Sequence, residues 1–200
     1  MISLSTQHHW HKRFPEEQAF LLDNPIRRYF SPPQRLISKI NISSSDVVLD
    51  FGCGPGFFSI PLAKIARRII GVDISPRMLE RAARNAKKEG VSIEFLQSDG
   101  TKITLENDVV DFILLNHVFH EIEDKSAVLS EFHRILKSSG RVAIVERTHK
   151  NRAPWKNFGP PVIDEKELTS SIQQNHFELA ETVPYGNSSI VFAQKNVPRV

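Results

Sequence analysis

The segment Val47-Val48-Leu49-Asp50-Phe51-Gly52-Cys53-Gly54-Pro55-Gly56 constrains this chain more than any other. An apolar run reads as a buried strand, it ends in an acid, and glycines then recur at every second position. A helix-like stretch and a second apolar run follow, ending in another acid at Gly71-Val72-Asp73. Strand, glycine turn, helix and strand in that order make a parallel pair joined by a crossover, with the turn at the carboxyl end of the first strand. Glycines there let the backbone bend sharply and lie close to a ligand, because no Cβ intervenes. Amides near the start of the next helix favour a negatively charged or electron-rich group. Asp73 sits where an acid holds ribose hydroxyls in doubly wound sheets. The segment reads as a nucleotide-type cofactor site.

Its details separate the possible cofactors. The dinucleotide fingerprint G-x-G-x-x-G would place a third glycine at position 57. That position is Phe57, and the third glycine comes one residue early, at Gly56. Asp50, just before the glycines, suits a pyrophosphate badly and a ligand with a positive group well, such as a free amino acid ammonium.

Leu49-Asp50-Phe51-Gly52-Cys53-Gly54-Pro55-Gly56 resembles motif I of the class I S-adenosylmethionine-dependent methyltransferases, which have a Rossmann-like fold. Gly71-Val72-Asp73-Ile74-Ser75-Pro76-Arg77-Met78 resembles their second motif. Ser98-Asp99-Gly100 and Leu115-Asn116-His117-Val118-Phe119-His120 fall where the third and fourth motifs belong. Leu136-Lys137-Ser138-Ser139-Gly140 resembles the turn before the fifth strand, with Ser138 in place of the usual proline. The likeness is best over positions 45 to 150. It implies S-adenosylmethionine as cofactor, with Asp50, Gly52, Cys53, Gly54, Gly56, Asp73, Ile74, Met78, Asp99, Gly100, Asn116 and His117 around it. By that resemblance Asp50 lies near the methionine ammonium, Asp99 accepts the adenine amino hydrogen, and the backbone at Asn116 and His117 meets the methionine moiety.

Methyl transfer is an in-line displacement at an already activated carbon, so the protein mainly positions and desolvates. Effective molarity alone can supply about 7–11 kcal/mol. A base is useful only where the acceptor must lose a proton. His120 and Glu146, on the loops after the fourth and fifth strands, are the catalytic candidates, with Glu121 a weaker third. Each site residue also has a plainer reading. Asp50 could bond turn amides, and Asp73 could cap the helix at Pro76, although Ser75 fills that role better. Met78 could fill core, Asp99 could belong to a surface turn with Gly100, and His120 could pack its loop or cap the next helix. Cys53 needs only its small size to stand in a crowded turn.

The rest of the chain is read as one α/β domain. Alternation gives strand 47–51, helix 57–66, strand 68–73, helix 76–89, strand 93–97, strand 109–115, helix 124–136 and strand 141–146. Helix 165–175 and two antiparallel strands, 177–184 and 189–195, follow. The expected fold is a doubly wound, mostly parallel seven-stranded sheet with helices on both faces and an antiparallel last strand. Positions 1–44 form a short helical extension or lid, and 45–200 the Rossmann-like domain. His8, His9, Trp10, Arg27, Arg28 and Trp155 are candidates for acceptor contacts; no metal site is expected, since consecutive histidines near a terminus are usually solvated. A net charge of +3 does not by itself imply nucleic acid binding. There is no apolar run of membrane-spanning length, no signal-peptide pattern at Met1–His9, and one cysteine, which excludes an intrachain disulfide. A cytoplasmic protein is expected.

An Asn/Asp-Pro-Pro-Tyr-type motif of nucleic acid amino-methylating enzymes is missing after the fourth strand. One cysteine cannot supply the thiolates of arsenite methylation, and no acidic triad suggests a catechol-type metal. A small-molecule acceptor of quinone or metabolite type remains, which Leu115–His120 also resembles. Two alternatives stay open: a non-catalytic cofactor-binding regulatory subunit, and a nicotinamide-dependent oxidoreductase, against which Asp50 and Phe57 argue.

Overall fold

The computed structural model describes residues 32–149 and 160–196. The strands are β1 (Val47–Phe51), β2 (Arg68–Asp73), β3 (Glu94–Gln97), β4 (Val110–Asn116), β5 (Leu136–Arg147), β6 (Phe177–Tyr185) and β7 (Ser188–Lys195). The helices are α1 (Gln34–Ile40), α2 (Ser59–Leu62), α3 (Pro76–Lys88), α4 (Lys125–Ile135) and α5 (Glu165–Gln174). All seven strands form one sheet in the order β3-β2-β1-β4-β5-β7-β6. β1 to β5 pair in parallel, and β7 runs antiparallel to both β5 and β6. This is the sheet expected from the alternation. The chain order reverses between β1 and β4, so a crevice opens at their carboxyl ends, where open α/β sheets bind ligands.

Strand residues alternate between two apolar layers. Leu49, Phe51, Ile113, Leu115 and Ile144 pack with Val128, Leu129 and Phe132 of α4 and Leu168 and Ile172 of α5. Val48, Phe112, Leu114 and Val145 pack with Leu36, Ile37 and Ile40 of α1 and with Phe57, Phe58 and Leu62 around α2. The helices start where side chains can take up unpaired amides. Ser75 accepts from the amide of Met78 at 3.2 Å ahead of Pro76, Asp124 from Ala127 at 2.9 Å, and Asp164 from Lys166 at 2.7 Å.

Two boundaries differ from the sequence reading. The helix expected over 57–66 is confined to Ser59–Leu62. The glycine turn occupies the residues before it, and Lys64, Ile65 and Ala66 bond back to Pro61 and Leu62 as irregular turns. The strand expected to begin at 141 begins at Leu136, because Val110 pairs with Leu136 before the register jumps and Phe112 pairs with Arg141. Residues 137–140, between those two pairs, form an irregularity within β5 rather than a separate turn. Met1–Ser31, including His8, His9, Trp10, Arg27 and Arg28, and the segment holding Trp155 lie outside the described residues. Among the described residues no helix is long and apolar enough to cross a membrane.

Gly100 ties the β3–β4 connection to the core. Its φ is +91°, and a Cβ there would stand 2.5 Å from Phe51 Cζ and 3.1 Å from Val128 Cγ2. The Phe51 ring is itself held edge-on against Phe132, with centroids 5.1 Å apart. Gly100→Ala is therefore expected to cost about 3 kcal/mol in urea unfolding, from dihedral strain and overpacking together. A cost below about 1 kcal/mol would mean that Phe51 yields freely.

Candidate active site

The turn after β1 is bound to the end of β2. The amides of Gly52 and Cys53 both donate to the carbonyl of Val72, at 2.8 and 3.0 Å. Asp73 completes the link: Oδ2 accepts from the amide of Gly54 at 2.8 Å and Oδ1 from that of Ser75 at 2.9 Å. One carboxylate thus sets the distance between the glycine turn and the start of α3. Gly52, at φ +68°, lies against the side chain of Val118 from the β4 loop, which leaves no space for a Cβ.

Asp50 is buried beneath this turn and accepts from Ser59 Oγ at 2.5 Å. Burial pushes its carboxyl up from an ordinary 3.8 to about 7; the Ser59 hydroxyl opposes the rise and the nearby charge of Asp73 adds to it. Cys53 is also buried, and burial, then the charges of Asp50 and Asp73, push its thiol upward, away from the reactive thiolate. Its sulfur would be 3.1 Å from a Cβ on Gly71, a position that Phe95 also closes.

At the end of β2, Ile74 presents an exposed apolar side chain, 39% accessible, whereas Met78 is buried at 6%. Asp99 is exposed in a turn in which Oδ1 accepts from the Thr101 amide at 2.9 Å and its hydroxyl at 2.8 Å.

Beyond the strand-order reversal, Asn116 pairs with Val145 at the ends of β4 and β5, which puts Glu146 level with His117. The Glu146 side chain is fully buried. His120, in a 3-10 turn over Phe119–Glu121, places Nδ1 3.0 Å from Glu146 Oε2, and its amide donates to Oε1 at 3.3 Å. His120 Nε2 faces Glu121 Oε1 at 3.7 Å. His117 adopts φ +57°, unusual for a residue with a Cβ. Its Nδ1 is buried without a hydrogen-bond partner, 3.9 Å from the same Oε2 of Glu146. Burial alone would raise the Glu146 carboxyl, but the ring nitrogens of His117 and His120 outweigh it and hold the group down at about 2. Glu146 is thus an ionised carboxylate bonded to His120 and facing His117.

The structure assembles Asp50, Gly52, Cys53, Gly54 and Asp73 around one turn, and His117, His120 and Glu146 around another. Successive strands are about 4.8 Å apart, so Glu146 on β5 lies about 10 Å from the Gly52 level on β1. One contributor had no motif to flag it: Ser59, whose only sequence trace is a hydroxyl inside Phe57-Phe58-Ser59-Ile60; Val118 sits in the quoted motif, but nothing there marks it as the residue packed on Gly52. The side-chain pairing of His117 with Glu146 was equally hidden. His120 does not cap the next helix, because Asp124 does.

A family model for the methyltransferase domain matches residues 49–144. A crystal structure of a SAM-dependent methyltransferase from Aquifex aeolicus superposes with a TM-score of 0.83 at 26% identity, covering 92% of this chain and 100% of that one. The chain carries a methyltransferase domain and shares the fold of that S-adenosylmethionine-dependent enzyme. Among curated relatives, the demethylmenaquinone methyltransferase of Lactobacillus johnsonii is 26% identical over 79% of this chain and 59% of its own length. That of Lactococcus lactis is 33% identical over 54% of this chain and 45% of its own. The chain thus spans about half of these two relatives. The site suits the cofactor of the Aquifex aeolicus enzyme, S-adenosylmethionine: a turn too tight for side chains at Gly52, a buried acid whose raised carboxyl a bound cation would hold ionised, and a strand-end acid beside an exposed apolar residue.

Proposed function

We propose that this protein transfers the methyl group of S-adenosylmethionine to a small-molecule acceptor of the quinone or related metabolite type, and that it works in the cytoplasm. The carrying observation is the pairing of the Asp50–Gly52–Asp73 turn with the His120–Glu146 pair on the two sides of the strand-order reversal. The curated relatives support the choice of acceptor.

S-adenosylmethionine supplies the methyl group already activated on a sulfonium. Asp50 would face its ammonium, Gly52 to Gly56 would line its chain, Asp73 would accept from its ribose, and Ile74, Met78 and Asp99 would border its adenine. The backbone at Asn116 and His117 would close the methionine end. On the acceptor side, a buried carboxylate 3.0 Å from His120 Nδ1 favours the tautomer with hydrogen on Nδ1 and a lone pair on Nε2. Nε2 would take the acceptor's proton, and the resulting cation would stand between Glu146 and Glu121. Residues 1–44 would cover the acceptor; of these, α1 packs on the sheet.

Calorimetric titration with S-adenosylmethionine and with NADH tests the cofactor half of this reading. Micromolar binding of the first alone, reduced about 100-fold in Asp73→Ala by loss of two charge-assisted hydrogen bonds, is expected. Binding of NADH instead would overturn it. For the acceptor half, His120→Ala and Glu146→Gln should each lower turnover of a reduced quinone by about 100-fold or more, with cofactor affinity unchanged. Full turnover in His120→Ala would remove the base.

A further inference from the structure

Helix α3 carries Arg77, Arg81, Arg84, Lys87 and Lys88 against one acid, Glu80. Its net charge of +4 exceeds the +3 of the whole chain, so all the remaining residues together are slightly acidic. Among the helices and strands described, α3 carries the densest run of basic residues.

The charges are also ordered. Arg77, Arg81, Arg84 and Lys88 recur at intervals of four, three and four, which places them along one side of a helix over about 16 Å. Met78, Leu79, Ala82 and Ala86 form the buried side, and the basic row lies opposite it. The row continues past the helix. Asn85 Nδ2 donates to the carbonyl of Pro55 at 3.0 Å, and Lys64 Nζ pairs with Glu89 at 2.8 Å, so the turns after α2 lie alongside α3. Those turns add exposed Lys64 and Arg67, and between them Ile65, 41% exposed. Ile65 and Ile74 are the two large apolar side chains exposed among the described residues.

We infer that this face, the outer side of α3 with Lys64, Ile65 and Arg67, rests on an anionic lipid surface. Lys and Arg near such a surface are drawn to it by its negative potential, and an apolar side chain set among the cations reaches below the headgroups. A nucleic acid fits this face less well. Neither α3 nor the turn at 63–68 contains an aromatic residue on which a base could stack, Asn85 is committed to Pro55, and an exposed isoleucine has nothing to bind on a phosphate backbone. α3 starts beside Asp73, so a bilayer against this face would lie next to the cofactor end of the crevice. The inference does not depend on the identity of the acceptor.

Co-sedimentation of the full chain with sucrose-loaded vesicles tests it, with no cofactor or acceptor present. Partitioning onto equimolar phosphatidylcholine and phosphatidylglycerol should exceed that onto phosphatidylcholine alone by about tenfold or more, and should fall to the same level in half-molar salt. The R81Q/R84Q/K88Q variant should lose the preference while keeping its melting transition and S-adenosylmethionine affinity. Ile65→Ser should weaken binding to the anionic vesicles several-fold. Equal partitioning on the two vesicle types, or an unchanged preference in the triple variant, overturns the inference. So does retention on transfer RNA that the triple variant loses when the vesicles bind nothing. Failure to methylate a quinol would leave the vesicle result standing, so the two readings fail separately.

Discussion

Asp50→Asn makes the free protein more stable at pH 8, by about 2 to 4 kcal/mol, and leaves its stability near pH 4 unchanged. The sign follows from the direction of the shift. The folded carboxyl titrates at about 7 and the unfolded one near its ordinary 3.8, so the folded state holds the proton more tightly. Asp50 therefore contributes stability that is complete below the unfolded value and lost as pH rises through 7. At pH 8 the native protein carries a buried anion that asparagine would not, and asparagine can still accept from Ser59. Chemical denaturation of both proteins across this range measures the difference; a gap that does not change with pH would mean that Asp50 ionises normally. Cofactor affinity should move the other way. A bound ammonium favours the ionised acid, so binding should release a proton below pH 7, and affinity should rise with pH and level off above 7. In Asp50→Asn that dependence should vanish and affinity fall by about 100-fold.

Gly52→Ala should remove about 3 kcal/mol of stability and with it measurable cofactor binding, through two separable causes. An L-residue at φ +68° is strained by about 1 to 2 kcal/mol. The new methyl would also drive into the Val118 side chain, where overpacking typically costs about 1 to 3 kcal/mol. Val118→Ala in the same chain should relieve the collision and leave the dihedral strain, so the double variant should recover about half of the loss. Strict additivity of the two substitutions would show that they do not meet.

The cofactor turn was legible because its chemistry is local. Glycines at alternate positions, acids at two strand ends and apolar runs of strand length are properties of neighbouring residues, and β1 and β2 formed where those runs predicted. The acceptor side was legible only as positions. Nothing near His117 in sequence announces a left-handed backbone or a ring turned toward Glu146, which is far along the chain and meets it only through the β4–β5 pairing. Ser59 was hidden for the same reason: its partner is nine residues back, on another element. Helix length was overread after the glycines, because the pattern in Phe57–Ala66 records which residues are buried and not that the turn consumes the first of them. The early start of β5 depends on a register jump that the pattern of apolar residues does not encode.

Cys53 is the only thiol in the chain, and it lies within the glycine turn at 4% exposure. An alkylating reagent can reach it only during moments when that turn lifts away from β2. With reagent concentrated enough to capture the thiol before the turn recloses, the labelling rate counts the openings around one sulfur. A ligand seated on the turn would slow the count in proportion to its occupancy. The molecule thus holds an internal reporter on its own cofactor turn, readable by mass alone and without any knowledge of the acceptor.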